Sequence, residues 1–139
     1  MTGQSRATMD WPEFLAKAIS AFVEHGRDYS GWDCWGLVVC GYRDVLEIEL
    51  PGYEDWYGRT NDAEALLKAF RHGREFRGRE CGRETGAIAV ILRRRDPIHV
   101  GVVIGEDILH CEPGIGTVLE PIAGLKVESY WRPKCPTET

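Results

Sequence analysis

Three side chains in this sequence could together perform nucleophilic chemistry: Cys34, His99 and His110. Cys34 directly follows Asp33, a residue type that caps helices, so its thiol falls in the first turn of a predicted helix. Unpaired backbone N–H groups and the positive end of the helix dipole favour a thiolate there. Such placement lowers a cysteine pKa from its ordinary value of about 8.5, while the adjacent Asp33 carboxylate acts the other way. His99 stands near the start of the most apolar run, Ile98-His99-Val100-Gly101-Val102-Val103-Ile104, and His110 follows the turn residues Gly105-Glu106-Asp107. A two-residue loop between these strands would put both imidazoles on one sheet face, and a three-residue loop would part them. A thiol nucleophile needs a base in reach and a third group to orient that base. Cys34, His99 and His110 fill these roles in that order. Gly26, Gly31 and Gly36 would let a substrate backbone come close to the thiol, and Gly101 would leave room for a helix end.

The same residues admit plainer roles. Free cysteine is often a small buried apolar residue, and a histidine on an apolar strand is often a satisfied core residue. Cys34, His99 and His110 with one water also make a catalytic zinc count, but no short-spaced ligand pair anchors it, and no metal or cofactor is expected. His25 and His72, beside Gly26 and Gly73, read as residues of helix C-terminal turns. Cys40 reads as buried structure, Cys81 and Cys135 as loop residues, and Cys111 should point away from the face that carries His110. Five cysteines at irregular spacing, with no Cys-x-x-Cys, predict free thiols in a reducing compartment rather than a disulfide framework.

The elements that must position these groups are legible in outline. Asp10-Trp11-Pro12-Glu13 carries a helix start with a capping box. Phe14, Leu15, Ala18, Ile19, Phe22 and Val23 continue at helical spacing as far as Gly26. A glycine-punctuated loop leads to Asp33 and a second, buried helix over about Cys34 to Glu47, ended by Pro51-Gly52-Tyr53. A third, shorter helix is predicted from Asn61 to Gly73. From residue 86 the pattern changes to short β-branched runs: 87–92, 98–104, 108–111, 117–122 and 127–131. Helices first and consecutive strands afterwards predict an α+β fold, with N-terminal helices packed on a C-terminal antiparallel sheet of about five strands. The tail after Trp131 reads as loose.

Composition bounds the partners. The chain has 139 residues, expected to form a single domain with its core at about 10–133. Apolar residues at 43% and charged residues at 28% fit a globular chain. No apolar run approaches the roughly 20 residues of a spanning helix, so no membrane insertion is expected. Met1 to Asp10 lacks the apolar stretch of a secretory signal, so no signal peptide is expected either. A net charge of −5, and arginine clusters interleaved with Glu75, Glu80 and Glu84, argue against nucleic acid as partner.

Gly31-Trp32-Asp33-Cys34-Trp35-Gly36-Leu37-Val38, His99-Val100-Gly101 and Leu109-His110 resemble the signature motifs of the NlpC/P60 cysteine peptidases, over about residues 10–133. Gly26-Arg27-Asp28, Glu49-Leu50-Pro51-Gly52-Tyr53 and Tyr130-Trp131-Arg132 resemble the phage-tail-associated branch of that family. The resemblance implies a papain-like fold and no cofactor. It implies hydrolysis of an amide in the peptide stem of peptidoglycan, between D-γ-glutamyl and a diamino acid. Cys34 would be the nucleophile, His99 the base and His110 its orienting partner, with the backbone N–H of Cys34 helping to hold the oxyanion. Phe22, Tyr29, Trp32, Asp33 and Trp35 would line the substrate site. Phe22 stands where many members carry a tyrosine, and Gly86-Ala87 stands where Gly-Asp is common. The resemblance also implies a place in a phage virion tail, with a tail-tip or hub protein as partner and the host wall as target. A catalytically silent tail-assembly protein and an acyltransferase are the other functions that this fold and triad would allow.

Overall fold

A computed structural model of the chain describes residues 9–51, 78–93 and 96–133. Helix α1 covers Trp11–Lys17, and short strands β1 (Arg27–Asp28) and β2 (Gly31–Trp32) lead into helix α2, Cys34–Gly41. A π-helical turn, Tyr42–Leu46, continues α2. The strands that follow are β3 (Gly78–Cys81), β4 (Ile88–Arg93), β5 (Asp96–Ile104), β6 (Asp107–Glu112), β7 (Gly116–Pro121) and β8 (Lys126–Pro133). They form one six-stranded sheet in the order β3-β8-β4-β5-β6-β7, antiparallel at every pairing.

Alternation along the strands sorts the core into two layers. Ile88, Val90, Val100, Val102, Leu109, Cys111 and Trp131 pack with α1 and α2. Ala87, Ala89, Ile91, Val103 and Ile108 pack together with Ile122 in a separate cluster. Helix α2 is buried on nearly every side, with Cys34, Trp35, Leu37, Val38 and Cys40 at 0–1% exposure. It therefore lacks the polar face of a surface helix.

The expected α+β architecture is present, with three differences. The first helix stops at Lys17 instead of running to Gly26. Its capping box forms, with Glu13 N–H donating to Asp10 Oδ1 at 2.9 Å. Beyond Ala18, however, the backbone finds partners elsewhere. Thr117 N–H donates to Ser20 O, Trp32 N–H to Ala21 O, and Val23 N–H to Trp32 O. These bonds take the place of helical ones, and Ile19, a presumed core residue, is 84% exposed. Second, β3 adds a strand that Gly78-Arg79-Glu80-Cys81 does not announce, because it is a polar edge strand without alternation. Cys81 is thus a strand residue, not a loop residue. Third, β8 runs past Trp131 to Pro133, since Arg132 and Pro133 pair with β3. The predicted third helix, His72, Cys135 and Gly52-Tyr53 lie outside the described residues.

Candidate active site

The loop that delivers Cys34 is gathered around one buried carboxylate. Asp33 Oδ1 accepts from Gly36 N–H at 2.8 Å, the helix cap. The same oxygen takes Arg27 Nη1 at 2.9 Å, and Oδ2 accepts from His25 N–H at 2.9 Å. His25 is not in the helix C-terminal turn expected for it, because the helix ends well before it. It sits in a left-handed turn, φ 61°, which aims its N–H at Asp33. The loop glycines serve the chain itself rather than a substrate. A Cβ on Gly36 would lie 2.0 Å from Gly26 O, and one on Gly26 would lie 2.3 Å from Gly31 O. Only hydrogen fits where these backbones meet.

Cys34 is 1% exposed. Burial pushes its thiol up to about 12, and the charge of Asp33 adds to the shift. The N–H groups of Val100 and Trp35, turned toward the sulfur, act the other way but lose. This corrects the expectation of a lowered thiol: desolvation outweighs the helix terminus. The Val100 contact also locates the thiol, at the peptide that joins His99 to Val100.

Strands β5 and β6 are joined through Gly105-Glu106, with Gly105 at φ +63°. The register pairs Val102 with Leu109 and Val103 with Ile108, so His99 and His110 share a face, as a two-residue loop requires. The pairing stops at Val102 and Leu109, and the histidines lie beyond it. His99 Nε2 and His110 Nδ1 are 2.7 Å apart, with the rings nearly perpendicular at 84°. Gly101 makes room for strand β6 and not for a helix end. A Cβ there would lie 2.7 Å from Leu109 O and 2.9 Å from His110 Cβ.

The structure adds a residue that sequence reasoning missed. Glu120, on β7, places Oε1 2.7 Å from His110 Nε2. Residues Ile108 and Glu120 are register partners, so Glu120 is one step diagonal to His110 on the same face. The available signal was a single acidic residue in the apolar strand after His110, but its face depended on a register the sequence does not fix. Glu112 Oε2 is 3.9 Å from His110 Nδ1, beyond hydrogen-bond range.

The other expected site residues have the following partners. Trp32, Trp35 and Asp33 are at 0% exposure, as buried as Cys34 and the two histidines. Trp32 Nε1 donates to Thr117 Oγ1, and Trp35 Nε1 to Pro51 O. Tyr29 donates its hydroxyl to Asp44 Oδ2 at 2.7 Å. Phe22 is half-buried against the core, its backbone bridged to Trp32. Cys40 and Cys111 point their sulfurs at Arg27 O and Trp32 O. Among the described residues, the group whose ligand atoms gather as a metal would need is His110, Glu112 and Glu120, within 4.8 Å of one another. It is not the set Cys34, His99 and His110.

No protein-family model matches the chain, and no curated protein matches it. Thirteen solved chains resemble it in structure. One is the NlpC/p60 domain of the peptidoglycan hydrolase SagA, with a TM-score of 0.58 and 16% identity, over 87% of this chain and 93% of that one. At that identity the likeness establishes the fold: helices on an antiparallel sheet, as in the NlpC/p60 domain.

Proposed function

We propose that this chain is a thiol amide hydrolase acting on the peptide stem of peptidoglycan. The observation that carries the reading is the 2.7 Å bond between His99 Nε2 and His110 Nδ1, together with a helix-terminal thiol that takes the backbone N–H of Val100, the residue after His99. Since Nε2 of His99 is engaged by His110, Nδ1 is the atom that would take the thiol proton. The sulfur then adds to the amide carbonyl, and the N–H of Cys34 steadies the oxyanion. Collapse expels the amine, which takes the proton from His99 and leaves a thioester on Cys34. Water gives a proton to His99, attacks the thioester, and releases a carboxylic acid and the thiol.

The SagA domain is a peptidoglycan hydrolase by its description, which supports the substrate class. The bond we propose is D-γ-glutamyl to a diamino acid, on the strength of the Asp33-Cys34 and His99-Val100-Gly101 motifs. The phage-tail motifs around Arg27 and Trp131 support a place on a virion tail, against a hub or tip protein.

Purified sacculi incubated under reducing conditions with wild type and with Cys34→Ala test this. Soluble muropeptide fragments from the wild type alone, identified by mass, are expected and would name the bond. Fragments from both proteins would overturn the role of Cys34. A second reading, a silent assembly protein on the same fold, is favoured by the burial of Cys34 and its raised pKa. No fragments from either folded protein, with Cys34→Ala still forming a stoichiometric tail complex, would select it.

A further inference from the structure

We propose that Glu120 is the positioning residue of this site: its carboxylate accepts the Nε2–H of His110, which fixes the tautomers of both histidines and turns the basic lone pair of His99 to Nδ1. The inference rests on reading the site as a thiol hydrolase, but its chain of bonds can be followed without any reaction.

A carboxylate only accepts, so the nitrogen 2.7 Å from Glu120 Oε1 carries a proton. In a neutral imidazole the other nitrogen is then an acceptor. For His110 that nitrogen is Nδ1, which lies 2.7 Å from His99 Nε2. His99 must therefore donate from Nε2, and its lone pair is on Nδ1. Without Glu120 both histidines could adopt the opposite tautomer, and His99 would present an N–H where the mechanism needs a base. When Nδ1 accepts the thiol proton, the positive charge on His99 is shared through Nε2–H with His110 and balanced by Glu120.

The charged and titratable groups around the pair come from each neighbouring element. Glu112 on β6 lies 3.9 Å from His110 Nδ1, too far to accept a hydrogen bond. Asp33 and Cys34 lie at the start of α2, with Asp33 held by Arg27 and its own loop. Glu120 on β7 lies 2.7 Å from His110 Nε2, and its side chain is 41% exposed. It therefore stands on the outer side of the pair, where it can be replaced without opening the core.

The test uses protein labelled with 15N in histidine and long-range 1H–15N correlation, comparing wild type, Glu120→Leu and Glu120→Gln. In the wild type both histidines should show a protonated Nε2 and an unprotonated Nδ1. Glu120→Leu should lose this preference at His110, whereas Glu120→Gln, which keeps an acceptor oxygen, should retain it. On sacculi, Glu120→Leu should lower kcat roughly tenfold or more with KM unchanged, and Glu120→Gln should recover most of the loss. A wild-type His110 with its proton on Nδ1, or a folded Glu120→Leu with unchanged tautomers, would overturn the proposal. If the wild type digests no sacculi, the hydrolase reading fails, and the spectra still decide the role of Glu120.

Discussion

At Cys34 two physical effects compete for one proton. The helix terminus and the N–H groups of Val100 and Trp35 favour the thiolate, while burial and the Asp33 charge favour the thiol. Burial wins, so the resting site holds a neutral thiol and not a thiolate. Attack then requires His99 to remove the proton as the reaction proceeds. This gives a direct prediction for alkylation. In the folded protein Cys34 should react slowly with iodoacetamide at pH 7–8, and its rate should climb about tenfold per pH unit from pH 9 toward a pKa of about 12. In denaturant it should react as an ordinary cysteine. Peptide mapping by mass spectrometry reads each site separately. A fast rate that stays flat from pH 6 to 9 would reveal a thiolate–imidazolium pair and contradict the burial argument.

The element that holds this chemistry in place is the Asp33 loop together with α2. Replacing Asp33 with alanine would leave Gly36 N–H, His25 N–H and the Arg27 guanidinium without their shared acceptor. Losing a helix cap costs about 0.5–2 kcal/mol, and breaking a buried pair about 3–5 kcal/mol. Because Arg27 keeps 17% of its side chain in solvent, about 3 kcal/mol is the expected loss in urea denaturation. Asp33→Asn should lose less, since one oxygen can still cap. A shift under about 1 kcal/mol for Asp33→Ala would mean that the carboxylate does not organise the loop. Most of this was legible in the sequence, because caps and helix periodicity are short-range signals: Asp33 caps as expected and the β-branched runs became β4 to β8, although the helix expected to reach Glu47 turns π-helical at Tyr42 and β8 runs on to Pro133. What failed depended on partners distant in the chain. Ser20 to Val23 carry helical spacing but bond to Trp32 and Thr117, and β3 is a polar strand made by its pairing with β8. Glu120 and the direction of the Cys34 shift were hidden for the same reason, since register and burial belong to the assembled sheet.

At the scale of the whole molecule, the buried thiols and phenols set an alkaline limit to stability. Burial pushes Cys40 up to about 11 and Cys34 up to about 12. Desolvation also raises Tyr42, whose hydroxyl donates to Gly86 O under the sheet. Tyr29 is raised by desolvation and by its bond to Asp44. Each group binds its proton more tightly folded than unfolded, where a thiol titrates near 9 and a phenol near 10. Their contribution to stability is therefore fully present below about pH 9 and is lost as the pH rises through the folded values. Each ionisation also adds negative charge to a chain that already carries −5 at pH 7, and self-repulsion then opposes the compact state. The melting temperature should hold steady from pH 7 to about pH 9 and fall continuously above it. Thiolate absorbance of the buried cysteines and the tyrosinate signal of Tyr42 and Tyr29 should emerge together with the loss of circular dichroism, not before it. Tyrosinate and thiolate signals that titrate fully near pH 9–10 while the fold persists would show that these groups are solvated in the native protein, and would remove the basis for a neutral Cys34 as well.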